Sequence, residues 1–115
     1  MVAEAMRAAY ILKEEYDIEA RVINIHTVKP IDKKAIISAA IDTGNIITCE
    51  EHQVGGFGNI VAGIINSANI GKSVKMEMVG VADRFGESGQ PWELMKTFGL
   101  VAEFIAKKSK ILYSK

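Results

Sequence analysis

The sequence predicts an α/β protein, a mainly parallel sheet with helices on both faces in three layers. Segments with the helical spacing of apolar residues alternate along the chain with short apolar runs of strand length. Glycine and proline stand at the joints of these segments rather than inside them. A glycine-rich turn, Gly55-Gly56-Phe57-Gly58, falls between an apolar strand and an apolar helix. In open α/β sheets such turns lie at the carboxyl edge, where ligands and partners are met.

The elements follow in order. Val2 to Tyr16 reads as an amphipathic helix, with Val2, Met6, Ala9 and Tyr10 on the apolar face and Glu4, Arg7 and Glu15 on the wetter side. Ala20 to Val28 reads as a strand through Val22, Ile23, Ile25 and Val28. Pro30 removes a backbone donor and stops it, and Asp32 is a suitable N-cap for a helix over Lys33 to Asp42. Gly44 can close that helix in the left-handed conformation. Ile46 to Glu50 reads as a buried strand, Phe57 to Asn69 as a helix, Gly71-Lys72-Ser73 as a turn, and Val74 to Val81 as a further strand. A polar loop, Asp83 to Gln90, leads to a short helix opened by Pro91 and closed by Gly99. A last helix, roughly Val101 to Lys108, places Val101, Phe104 and Ile105 on one face.

An alternating order of this kind implies right-handed crossovers and should open with a strand. This chain opens inside a helix, and three strands make a narrow sheet with an exposed edge. A first strand is therefore expected to be missing, or to be supplied by another chain.

Composition narrows the function classes. A length of 115 residues suits one domain spanning residues 1–115, with a core large enough to need no staples. Charge balances at 14 basic against 14 acidic residues, which argues against a nucleic-acid or membrane-surface partner. A single cysteine cannot form an internal disulfide and fits a reducing, cytoplasmic setting. No apolar run approaches the roughly 20 residues needed to cross a bilayer.

The chemistry-bearing residues gather in Cys49 to Gly58, where Glu50, Glu51 and His52 precede the glycines. Gly55, Gly56 and Gly58 could cradle a phosphate at a helix N-terminus, or could simply permit a tight turn and close helix–sheet packing. The dinucleotide fingerprint is incomplete, because Val61 stands where its last glycine belongs. Adjacent Glu50 and Glu51 must partly repel, so at least one should be held by loop N–H groups or a partner cation. His52 could serve as an acid/base group or as a structural hydrogen-bonding residue; His26 suits the structural role better. Cys49 reads as a small buried apolar residue. Gly86-Glu87-Ser88-Gly89 approximates a nucleophile elbow but lacks its final glycine, so a hydrolase using Ser88, His52 and Asp83 is the weakest of the readings. Arg84 and Lys29 are candidate interface or anion contacts.

Three segments together, Arg21–Asp32 (RVINIHTVKPID), Glu50–Gly58 (EEHQVGGFG) and Asp83–Leu100 (DRFGESGQPWELMKTFGL), resemble the C-terminal domain of transketolases. They most resemble the separate C-terminal section found where the enzyme is split over two chains. The match runs over essentially the whole chain, although the family domain opens with an apolar strand and a short turn before the helix that begins here. The resemblance implies a non-catalytic α/β unit of an enzyme moving two-carbon ketol units between sugar phosphates in the pentose phosphate pathway. It implies that thiamine diphosphate and magnesium are held by the other domains, so no catalytic, cofactor or metal residue is carried over to this chain. It implies packing against the N-terminal, pyrimidine-binding portion in a homo- or hetero-oligomer, and an isolated fragment that is inactive. Glu50, Glu51, His52, Gly55, Gly56, Gly58, Asp83, Arg84 and Ser88 are then expected at an interface. The related alternative is a partner-docking domain of a 2-oxoacid dehydrogenase β chain or of a 1-deoxyxylulose-5-phosphate synthase.

Overall fold

A computed structural model of the chain describes residues 2–25, 32–50, 56–80 and 100–115. In chain order the elements are α1 (Val2–Tyr16), α2 (Lys33–Thr43), β1 (Asn45–Glu50), α3 (Gly56–Ala68), β2 (Lys75–Gly80) and α4 (Leu100–Ser114). The expected short helix after Pro91 and the loop from Asp83 to Gln90 lie outside the described residues.

β1 and β2 pair in parallel, from Asn45 opposite Lys75 to Glu50 opposite Gly80. Side chains alternate across a strand, so this register sorts them by face. Val79 joins Ala8 and Leu12 of α1 and Val101, Ile105 and Ala106 of α4 in the core, with Ile47 and Cys49 packed against them. The opposite face carries Thr48 and Met78, which lie directly under Gly58 of α3. α2 packs on α3 and on β1. Helices thus cover both faces, and the three-layer α/β expectation holds. Fully burying side chains such as Leu12, Val79, Val101 and Ile105 contributes about 1.5–3 kcal/mol each.

Local signals account for the ends of α2. Asp32 Oδ1 accepts the Ala35 N–H at 3.1 Å, which satisfies one of the orphan donors of the first turn. At the other end Gly44 has φ of 70° and donates its N–H to the Ala40 carbonyl at 2.9 Å. The carbonyl of the same Gly44 accepts the Lys75 N–H at 2.9 Å, which starts the β1–β2 ladder. Lysines take the carbonyls at two helix ends. Lys72 Nζ donates to the Ile41 carbonyl near the end of α2. Lys75 Nζ donates to the main-chain oxygens of Tyr113 at 3.3 Å and Lys115 at 2.8 Å, at the end of α4.

Three expectations are corrected. α1 buries Glu4, Ala8 and Leu12, not the Val2–Met6–Tyr10 stripe. Met6 is 60% and Tyr10 68% exposed, while Glu4 is only 4% exposed. Ala8, Leu12 and the neighbouring Ile11 make the better core stripe, and the Glu4 stem extends it by one turn. Its Oε1 accepts from Arg7 Nη1 at 3.2 Å, whereas Oε2 has no partner among the described residues.

The expected strand over Ala20–Val28 is absent from its described part, residues 20–25. Those residues make no ladder, and Val22 and Ile23 are exposed. Arg21 Nη2 bonds Asp42 Oδ2 at 3.0 Å, which ties the segment to the end of α2. Among the described residues no strand pairs with this segment, and β propensity alone does not make a strand without such a partner. The described sheet accordingly has two strands rather than three.

α4 runs on to Ser114, past the expected end at Lys108. Leu112 is buried and continues the stripe of Val101 and Ile105 at helical spacing. The intervening Lys107, Lys108 and Lys110 hide that continuation in the sequence.

Candidate functional site

The described part of the glycine-rich turn is built around one side chain. Glu50 ends β1, and its carboxylate reaches the start of α3. Oε1 accepts the Phe57 N–H at 2.8 Å, and Oε2 accepts the Gly58 N–H at 3.3 Å. The first N–H groups of a helix have no partner within it and carry its positive dipole end, so a carboxylate there is stabilised on both counts. The expectation that one of the paired glutamates is held by N–H groups is met at Glu50. A Cβ on Gly56 would stand 3.5 Å from Glu50 Oε1, an ordinary contact, so the carboxylate itself does not require glycine at this position.

Gly58 has a different reason to be glycine. A Cβ there would meet Met78 Sδ at 2.7 Å, Met78 Cγ at 2.8 Å and Thr48 Oγ1 at 3.0 Å. The helix therefore lies so close to the sheet at this point that a Cβ would require Met78 to shift. Of the two readings of the glycines, close helix–sheet packing describes Gly58. The phosphate cradle loses two of its N–H groups to Glu50, an anion the chain provides itself.

Thr48 and Met78 form the floor of this turn, and the sequence offered little sign of it. Thr48 is buried, and its Oγ1 has no hydrogen-bond partner among the described residues. Strand alternation was the available clue: Thr48 shares the face of Glu50, away from Cys49.

Cys49 packs against the α1–α4 core, and burial pushes its thiol up to about 11, an effect slightly offset by the chain's amino terminus. A thiol so disposed is neutral at physiological pH and a poor nucleophile. Its reading as a small apolar residue agrees with this position.

Glu51, His52 and Gly55, with Asp83, Arg84 and Ser88, lie outside the described residues, as does His26. The site thus unites three of the expected contact residues, Glu50, Gly56 and Gly58. No group of His, Cys, Asp and Glu among the described residues could hold a metal ion, and no described helix is long and apolar enough to cross a membrane. An open groove of about 470 Å³ runs along the end of α3 and the start of β2, floored by Ile65, Ile70, Val74 and Met76. It lies away from the Glu50 turn.

These features define an α/β domain whose glycine-rich helix start is closed by its own carboxylate. Residues 1–105 match the family described as "Transketolase, C-terminal domain", and the chain belongs to that family. It is 43% identical over 108 residues to a Methanocaldococcus jannaschii protein described as a transketolase C-terminal section, covering 93% of this chain and 32% of that protein. It is 41% identical to a 6-deoxy-6-sulfo-D-fructose transketolase subunit of a Clostridium species, over 93% of this chain and 32% of that subunit. It is also 37% identical to the 1-deoxy-D-xylulose-5-phosphate synthase of Desulforudis audaxviator, over 96% of this chain and 17% of the synthase. The chain thus spans a third or less of the length of these relatives. No solved structure matches it.

Proposed function

We propose that the chain is the C-terminal, non-catalytic domain of a transketolase-type enzyme that transfers two-carbon ketol units between sugar phosphates. The family match over residues 1–105 carries this reading, because the same stretch forms only a third of the transketolase sections it resembles. In the assembled enzyme thiamine diphosphate and magnesium belong to the remaining portion, which includes the pyrimidine-binding domain. This chain contributes contacts. Glu50 and Gly56, with Glu51, His52, Gly55, Asp83, Arg84 and Ser88, are the residues proposed to contact the companion portion, whereas Gly58 is buried against Met78 and Thr48 and serves the packing of α3 on the sheet. The assembly is a homo- or hetero-oligomer of the pentose phosphate pathway, and the single cysteine suits a cytoplasmic setting.

The experiment is reconstitution. Alone, the chain is expected to show neither ketol transfer nor binding of thiamine diphosphate by calorimetry; both appear when the companion portion is added. Tight binding of the cofactor by the chain alone would overturn the reading.

A second reading, the closing domain of a 1-deoxyxylulose-5-phosphate synthase, is favoured by the 37% identity to such a synthase. In the same reconstitution, formation of 1-deoxy-D-xylulose 5-phosphate in place of ketol transfer would select it.

A further inference from the structure

We propose that Glu50 is a positioning residue for assembly: by fixing the start of α3 on the end of β1 it holds the carboxyl edge in the form the companion portion recognises. This rests on the reading of the chain as a domain that docks on the rest of a transketolase-type enzyme.

Two features set Glu50 apart from an ordinary helix cap. First, the bond is not local. An N-cap lies two or three residues from the N–H it satisfies, whereas Glu50 reaches Phe57 seven residues on and Gly58 eight residues on. The side chain therefore closes a ring between the last residue of a strand and the first turn of the next helix. That ring holds both ends of the connection in place before any partner arrives, which lowers the ordering cost of association.

Second, the body of α3 has its own attachment. Val61 is buried, and Gly58 seats the helix on Met78 and Thr48. Hydrophobic packing keeps the helix on the sheet, while the carboxylate specifies where its first turn ends. Loss of the carboxylate should therefore disturb the edge more than the fold. The carboxylate also places a compensating negative charge from within the chain at the positive dipole end of α3.

The test uses the chain with its companion portion and three variants. Glu50→Ala removes both bonds. Glu50→Gln retains an acceptor oxygen for the Phe57 N–H without the charge. Val61→Ala weakens α3 from its buried side and serves as a control for lost stability. Amide exchange of Phe57 and Gly58, melting temperature and the dissociation constant for the companion are measured for each. Glu50→Ala is expected to expose both amides to exchange and to weaken association by about tenfold or more. Glu50→Gln should recover the Phe57 protection and bind within about threefold of the parent. Val61→Ala should lower the melting temperature with little effect on association. Glu50→Ala binding no worse than Val61→Ala, with both amides exchanging freely, overturns the positioning role. Parent chain that fails to bind the companion at all overturns the docking reading on which it rests.

Discussion

Met78 occupies the space that a Cβ on Gly58 would need: an added Cβ would lie 2.7 Å from its Sδ. Because Gly58 sits on α3 and Met78 on β2, this pair sets the separation of helix and sheet beside the glycine-rich turn.

Gly58→Ala is therefore expected to destabilise the chain. Alanine in a helix gains about 0.5–1 kcal/mol over glycine, but overpacking costs about 1–3 kcal/mol, and Thr48 Oγ1 at 3.0 Å leaves Met78 as the side that must yield. Net loss should reach about 1–2 kcal/mol, read as a drop of about 4–8 °C in Tm. In the double variant Gly58→Ala/Met78→Ala the cost should fall below the sum of the single changes, as expected for groups in contact.

The partly buried thiol of Cys49 gives a pH signature. Its pKa is raised in the folded chain to about 11 from an ordinary value of 9.0, so the folded state keeps the proton longer than the unfolded one. Its contribution is fully present below pH 9 and is lost as pH rises through 11, amounting to roughly 2–3 kcal/mol. Alkaline denaturation should accordingly be shallower in Cys49→Ala. Thiol reagents at pH 7.5 should label the parent chain slowly until denaturant is added.

Asp32→Ala should cost about 1 kcal/mol through the loss of the Ala35 N–H acceptor, while Asp32→Asn should be close to neutral. Urea titration followed by circular dichroism distinguishes the two.

Contacts at α4 should separate sharply by burial. Leu112→Ala, in a buried position, should lose about 2–5 kcal/mol. Lys75→Met removes bonds to Tyr113 and Lys115 at an exposed helix end and should cost only about 0.3–1 kcal/mol, less as salt is added. A comparable loss from both would show that the helix end, not its apolar stripe, anchors α4.

Much of the fold was legible because several elements carry independent signals. α2 has an N-cap at Asp32 and a left-handed terminator at Gly44, and both act in the folded chain as their chemistry suggests. β1, β2 and α3 follow apolar runs bounded by glycine. The face of α1 is ambiguous in the sequence because its periodicity fits two stripes, one through Met6 and Tyr10 and one through Ala8 and Leu12. Small Ala8 and charged Glu4 make the buried one look weaker, and only the neighbouring Val101 and Ile105 decide between them. Residues 20–25, the described part of the expected strand, are not a strand for a related reason, since a strand is a property of a pair and no described strand pairs with them.

At the site, repulsion between Glu50 and Glu51 foretold that a carboxylate would seek N–H donors. It could not say that those donors would be Phe57 and Gly58, because that choice depends on how α3 folds back over β1. Close helix–sheet packing is one of the readings the sequence offers for these glycines, but that it falls on Gly58 depends on Thr48 and Met78 from two different strands.

Gly44 gives the domain its sidedness. One residue ends α2 through its N–H and starts the parallel ladder through its carbonyl. Adding or deleting a residue just after it would force a choice between keeping the helix end and keeping the strand alignment. If the alignment slipped by one, Thr48 would turn toward α1 and α4, Cys49 would turn toward α3, and Glu50 would point away from the helix it closes. The inside of each layer, and the direction in which the carboxyl edge presents Glu50, are thus decided at a turn on the opposite end of the sheet.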